Sequence, residues 1–307
     1  MSATTDYEVS MPHAEEMRKR GAASVEEAAE SPLIGHRIEL SYVGSAFSGW
    51  QRQKGKPSIQ EALESAIERI WGRPIAVTGA SRTDAGVHAL RQVASFAAPR
   101  KLIPEELARA LNYFLPDSVR VREVKLAPPE FHARFAARSK TYEYRVWNHA
   151  VLDPFLVDRV WHVPFPLALP AMREAGDLFV GTKDFSSFAT NPGRAYSSTV
   201  RTISALALHR RGPSVRIRVT GDGFLYHMVR NIVGALVRVG KGRLSRDGLQ
   251  EILESRDRKR APASAPPWGL YLLRVQYAPA RRNRRAEDSR TSGPCSRLDQ
   301  RTRSRYE

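Results

Sequence analysis

A chain of 307 residues, 42% of them apolar, can build one large core or two smaller ones. No run of about 18 apolar residues occurs, which excludes a membrane-spanning helix, and the single Cys295 excludes an internal disulfide or a cysteine-rich metal site. The net charge is +17; residues 1–33 carry −4, residues 281–307 carry +5 and the middle carries +16, so a polyanion, nucleic acid first, is the expected partner.

Residues 1–33 show no sustained apolar period and read as a disordered or weakly helical acidic extension. This end also lacks the basic and apolar regions of a secretion signal, so a cytoplasmic location is expected. His36 to Val43 alternates and predicts a strand. Gly44 to Gln53 is a glycine-bounded loop with two aromatics; it reads either as a packed connection or as a surface that meets RNA. Ser58-Ile59-Gln60-Glu61 has the capping-box pattern, Ile59, Leu63, Ile67 and Ile70 follow at helical spacing, and Gly72 ends the helix. A strand at 75–79, a loop, and a strand at 91–98 come next. Pro104 opens a helix that runs to Leu115, and Val119 to Leu126 is a strand. The order β-α-β-β-α-β is that of the ferredoxin-like fold.

Ser139 to Trp147 begins the second half as a strand. A helix is expected from Ala168 to Phe179, strands at 200–209 and 214–221, and a loop at Asn191 to Arg194. Phe224 opens a long apolar helix, a second helix covers about 246–254, and Leu270 to Val275 closes as a strand. The β-α-β-β-α-β order thus repeats with one extra helix, which predicts an α+β protein. Four segments are expected: 1–33, a first ferredoxin-like half at 34–132, a second at 133–280, and an arginine-rich disordered tail at 281–307.

Gly79 to Ala89 (Gly-Ala-Ser-Arg-Thr-Asp-Ala-Gly-Val-His-Ala) is longer and more polar than a hairpin turn requires. Asp84 reads as an ionised nucleophile, its pKa lowered by nearby Arg82, or as a carboxylate that caps its own loop. Tyr142 reads as a core aromatic or as a functional ring beside Lys140. Arg230 stands in an apolar helix; it needs a carboxylate unless it faces solvent. No Walker or dinucleotide glycine loop, no zinc-deaminase signature and no Gly-x-Ser-x-Gly elbow is present, and the histidines lack metal-ligand spacing.

The stretch Ser81-Arg82-Thr83-Asp84-Ala85-Gly86-Val87-His88-Ala89 resembles the catalytic motif of the TruA family of tRNA pseudouridine synthases. Ser48 to Gln53, Phe131 to Phe135, Lys140 to Tyr144, Asp184 to Phe188 and Tyr226 to Gly234 are similar to further family motifs, in the family's order, over residues 34–278. The chain departs from the family at Ser81, often Gly, and at Val43, often Asp. The resemblance implies a pseudouridine synthase fold of two ferredoxin-like halves around a central antiparallel or mixed sheet, with a basic cleft, in a homodimer. It implies isomerisation of uridine to pseudouridine at positions 38–40 of the tRNA anticodon stem-loop, without cofactor or metal. It assigns Asp84 as nucleophile, Arg82 to base flipping, Tyr142 to stacking on the target base, and Arg230 as the carboxylate's partner. Gln51, Arg52 and His88 join Tyr142, Arg82 and Arg230 as expected substrate contacts. The competing expectation is a non-catalytic RNA-binding protein on the same scaffold.

Overall fold

The computed structural model describes residues 32–99, 101–191, 193 and 196–278; Cys295, the expected C-terminal tail and nearly all of the expected N-terminal extension lie outside the described residues. The first strand, β1 (Ile34–Tyr42), turns Ile38, Leu40 and Tyr42 inward and Arg37, Glu39 and Ser41 outward, the period of two that the sequence predicts. Helix α1 (Ile59–Trp71) is capped as its sequence requires: Ser58 Oγ accepts from the Glu61 amide, and Gly72 adopts φ 70° at the other end. Helix α2 (Pro104–Phe114) begins with its proline and carries Glu105 and Glu106 in the first turn. Ile59, Leu63 and Ile67 of α1 and Leu107 and Leu111 of α2 are fully buried in the same core as Ile38 and Leu40. Each such side chain stabilises the fold by about 1.5–3 kcal/mol.

Around the Asp84 loop two boundaries differ from expectation. The strand predicted at 75–79 shrinks to β2 (Thr78–Gly79), and β3 (His88–Ala98) starts three residues early, at His88. Val77 is buried without belonging to a strand, because the Gln60 and Glu64 side chains take up its carbonyl and amide. Strand β4 (Val119–Ala127) completes the first half.

The second half starts with β5 (Ala137–Trp147), followed by the two-residue β6 (Trp161–His162), helix α3 (Leu169–Asp177) and a short β7 (Gly181–Asp184). Long β8 (Val200–Arg211) and β9 (Ser214–Gly221) precede α4 (Met228–Gly240), α5 (Arg246–Ser255) and β10 (Leu270–Tyr277). Helix α4 begins four residues after the expected Phe224, because His227 turns left-handed at φ 61° and starts the helix only behind it. Phe179, Phe185, Phe188, Ile232, Leu236 and Leu249 are fully buried where these helices meet the sheet.

All ten strands form one mixed sheet with the path β4-β1-β3-β10-β5-β9-β8-β7; β2 also pairs with β3, and β6 with β5. The pairings are antiparallel except β3 with β10 and β5 with β6. Strand β10 and β2 lie along the same edge of β3: Tyr271 and Leu272 pair with His88 and Ala89, whereas Thr78 and Gly79 pair with Ser95 and Ala94. The segment between Gly79 and His88 therefore leaves the sheet where its two halves join.

Candidate active site

The Gly79–Ala89 segment is held from several directions. The Trp50 amide donates to the Thr83 carbonyl at 3.0 Å. The Tyr42 and Thr83 hydroxyls are 2.8 Å apart. Gln92 bridges Ser81 twice, accepting from its amide at 3.2 Å and donating to its carbonyl at 2.7 Å. The Ser81 hydroxyl meets the Tyr142 hydroxyl at 2.7 Å, which ties the loop to β5. Trp50 is 2% exposed and lies flat against Gly79, where a Cβ would stand 2.3 Å from its ring. The aromatics of the Gly44–Gln53 loop thus pack inward, as in a packed connection: Trp50 is core, and Phe47 is packed against it.

Asp84 emerges from this frame with its side chain 18% exposed. Its Oδ2 lies 3.4 Å from Arg230 Nη1 and 3.5 Å from His227 Nε2. Arg230 is itself anchored: its Nε donates to the Ala265 carbonyl at 2.8 Å, and the Ala265 amide donates back to the Arg230 carbonyl at 3.0 Å. The carboxylate that Arg230 requires is therefore the catalytic-motif aspartate, 146 residues away. The guanidinium facing Asp84 is that of Arg230, not of Arg82, which is exposed on the loop. The expected direction of the Asp84 pKa is also corrected. Burial is the largest influence and raises it, with the Arg230 charge and hydrogen bond opposing.

Tyr142 is 6% exposed and meets Phe224 edge-on at 5.3 Å. Burial pushes its hydroxyl far up, the Ser81 bond opposes this, and the nearby Asp84 charge adds to it, so the ring carries a protonated phenol. Lys140 is two residues before Tyr142 on β5, hence on the same face. Burial, with a contribution from Arg134, brings its ammonium down to about 8.

The remaining expected site residues are placed elsewhere. Gln51 donates to Gln60 at 2.6 Å, and Arg52 pairs with Glu64 at 3.2 Å and Glu61 at 3.6 Å, so both are directed at α1. His88 is 1% exposed. Its Nδ1 accepts from the Gly44 amide at 3.1 Å, its Nε2 meets the Trp268 carbonyl at 3.0 Å, and its ring stacks on Tyr271 at 4.6 Å. An Nδ1 that accepts requires the Nε2–H tautomer, and burial lowers the imidazole to about 4; His88 is a neutral strut under the loop. His227, 3.5 Å from the Asp84 carboxylate, is a site-lining residue that the expected set lacks. Burial, then Arg230 and Arg258, bring it down to about 4. Its sequence signals are its place within the motif Tyr226 to Gly234 and three residues before Arg230.

The arrangement brings together a partly buried carboxylate, one guanidinium, one neutral imidazole and a protonated tyrosine, which suits nucleophilic attack on a bound ring. Among the described residues no group of three His, Cys, Asp or Glu side chains is placed to hold a metal ion, and no helix is long and apolar enough to cross a membrane.

The family model described as tRNA pseudouridine synthase matches residues 40–136 and 175–278. Asp84, His227 and Arg230 fall within the match, and Tyr142 lies between its two parts. A "tRNA pseudouridine synthase A" of Methylacidiphilum infernorum is 55% identical over 247 residues, 80% of this chain and 97% of that protein. Proteins of the same description from Chlamydia muridarum (44% over 245 residues; 78% of this chain, 91% of that protein) and Thermoanaerobacter sp. strain X514 (41% over 240 residues; 78% and 98%) are also similar. With most of the chain matched and the motif aspartate paired to the motif arginine, the chain belongs to the TruA-type tRNA pseudouridine synthase family and is an isomerase.

Proposed function

We propose that this isomerase converts uridine to pseudouridine at positions 38–40 of the tRNA anticodon stem-loop, with Asp84 as its nucleophile. The observation that carries the reading is the carboxylate of Asp84, partly exposed and opposed by Arg230 at 3.4 Å. The reaction breaks the bond from N1 to the ribose C1′ and makes one from C5 to C1′; the hydrogen on C5 leaves as a proton and N1 gains one. It is a redox-neutral rearrangement, and the proposal includes no cofactor.

The target base must leave its stack, which costs a few kcal/mol, roughly, and contact with Tyr142 offsets part of it at ~1–3 kcal/mol. Exposed Arg82 is the residue proposed to enter the space the base leaves. Gln51 and Arg52 stay in the proposal as contacts to the RNA backbone, whereas His88 acts by holding the Asp84 loop.

The strand orders β4-β1-β3-β2 and β10-β5-β9-β8 each support a ferredoxin-like half, at 34–132 and 133–280, joined through β3 and β10. A basic cleft along that join, in a cytoplasmic homodimer, completes the reading; the family resemblance supports the dimer, and light scattering tests it. The function is tested by tritium release from tRNA labelled at uridine C5. Wild type is expected to release tritium and Asp84→Ala to release none. Full release by the variant overturns the assignment of Asp84, and no release by wild type overturns the isomerisation.

A further inference from the structure

Arg230 Nη1 and His227 Nε2 converge on the same carboxylate oxygen of Asp84, Oδ2, at 3.4 and 3.5 Å. Among the described residues, no hydrogen bond or ion pair reaches Oδ1. The two oxygens of one carboxylate are therefore unequal. One faces two protein groups, and the other has no such partner among the described residues.

The placement of His227 is unusual for a bystander. Its backbone is left-handed at φ 61°, a conformation that costs a non-glycine residue about 1–3 kcal/mol and persists where surrounding structure enforces it. Here the enforcement is visible. The Asn231 amide donates to the His227 carbonyl at 2.9 Å, which starts α4, and the Tyr226 ring stacks on the imidazole at 3.8 Å. The left-handed turn sends the imidazole back toward the Asp84 loop instead of along α4. The ring stays uncharged because burial, Arg230 and Arg258 all disfavour the imidazolium. A neutral imidazole can present an N–H to a carboxylate without neutralising it, as a full proton would. Arg230 makes the hydrogen bond to Oδ2 at 3.4 Å and its charge opposes protonation of Asp84; His227 Nε2 stands 3.5 Å from the same oxygen, in contact with it and one small shift short of a hydrogen bond.

We propose that His227 is a positioning residue for the isomerisation: with Arg230 it fixes Oδ2 of Asp84, and it thereby presents Oδ1 as the oxygen that attacks the nucleotide. The inference rests on Asp84 being the nucleophile. It requires no further group: Oδ1 bonds to C1′ as the C1′–N1 bond breaks and its pair goes to the uracil, and when C5 then bonds to C1′ the Oδ1–C1′ pair returns to the carboxylate.

The test uses His227→Gly and His227→Gln in the full chain, with Asp84→Ala beside them, by tritium release across a range of tRNA concentrations and by thermal melting. Glycine accepts the left-handed backbone and removes the imidazole; glutamine restores an N–H donor at similar reach. His227→Gly is expected to melt at or above the wild-type temperature, to lose about tenfold or more in kcat, and to keep KM for tRNA within about twofold, the loss of an interaction made in the transition state. His227→Gln is expected to recover most of the loss. A wild-type kcat in His227→Gly, or His227→Gln as slow as His227→Gly, overturns the positioning role. If Asp84→Ala is inactive while His227→Gly is unimpaired, this inference falls and the nucleophile stands; if Asp84→Ala is active, the nucleophile itself falls.

Discussion

Arg230 meets two requirements at once. Its Nε satisfies the Ala265 carbonyl, and its Nη1 faces the Asp84 carboxylate. Both partners are distant in sequence, and the arginine side chain is only 13% exposed, so its charge is stabilised by these contacts more than by water. The balance at Asp84 follows. Burial raises the carboxylate's pKa and Arg230 restrains the rise. Removal of the guanidinium in Arg230→Met therefore takes away the restraint, and the Asp84 pKa climbs further. The expected outcome is a loss of about 100-fold or more in kcat/KM and an acidic limb of the pH–rate profile moved to higher pH. Tritium release measured from pH 5 to 9 checks this, and a limb that does not move shows that Arg230 does not govern the Asp84 charge. Nearby, the Ser81 hydroxyl occupies a position where the family often has no side chain, and it is the partner of the Tyr142 hydroxyl. This departure from the family pattern thus adds a hydrogen bond to the site.

Among the elements, the short ones decide the site. Strand β2 is two residues long, and after the Ala80 amide bonds the Val93 carbonyl at 2.7 Å the chain from Ser81 to Val87 leaves the sheet to form the Asp84 loop. Gly79 is required at that exit because Trp50 covers it; a Cβ would lie 2.3 Å from a ring that cannot retreat, being 2% exposed. Gly79→Ala is expected to cost about 1–3 kcal/mol by overpacking, seen as a lower melting temperature, with a fall in kcat because the loop must shift. An unchanged melting temperature contradicts this account. The long elements were legible beforehand from their periods and caps: Ser58 and Gly72 bracket α1, and Pro104 opens α2. The start of α4 was not. Phe224 to Arg230 has the composition of a helix, but the left-handed His227 delays it, and no local propensity reports a turn that packing imposes.

For the whole molecule, the join at β3 and β10 rests on few backbone pairs and many side chains. His88 stacks on Tyr271, Arg145 lies 3.8 Å from the centroid of the same ring, and Glu143, 1% exposed, takes Arg145 and Arg218 at 2.9 and 2.8 Å. His88 on this join and His227 at the site are both held near 4, from an ordinary 6.5, with burial the first cause in each. His36, stacked on Phe96 in the first core, is also lowered by burial. In the unfolded chain these histidines take up protons around pH 6.5, while in the fold His88 and His227 stay neutral until about 4 and His36 titrates below its ordinary value. The unfolded state binds more protons in that window, so stability falls as pH drops through it. Asp84 acts in the opposite sense, since its raised pKa makes protonation easier in the fold, but one carboxylate does not outweigh three histidines. The melting temperature is expected to fall between pH 7 and 5.5, above the range where ordinary carboxylates titrate. A flat melting temperature there contradicts the neutral-histidine account.

The sequence by itself determined the order of the long helices and strands, though not the short β6 and β7, the caps of α1, the polar loop around Asp84, and the need of Arg230 for a carboxylate unless it faced solvent. These are local properties: periods of two or 3.6 residues, a capping side chain, a charge among apolar neighbours. The family resemblance already paired Arg230 with Asp84; only the tertiary structure decided that Arg82 is not the facing guanidinium, that His227 lies at the same oxygen, and that burial outweighs charge at Asp84. Each of these depends on which strand lies beside which. The contact between Asp84 and Arg230 spans 146 residues and exists because β10 settles against β3, a register that no local pattern encodes.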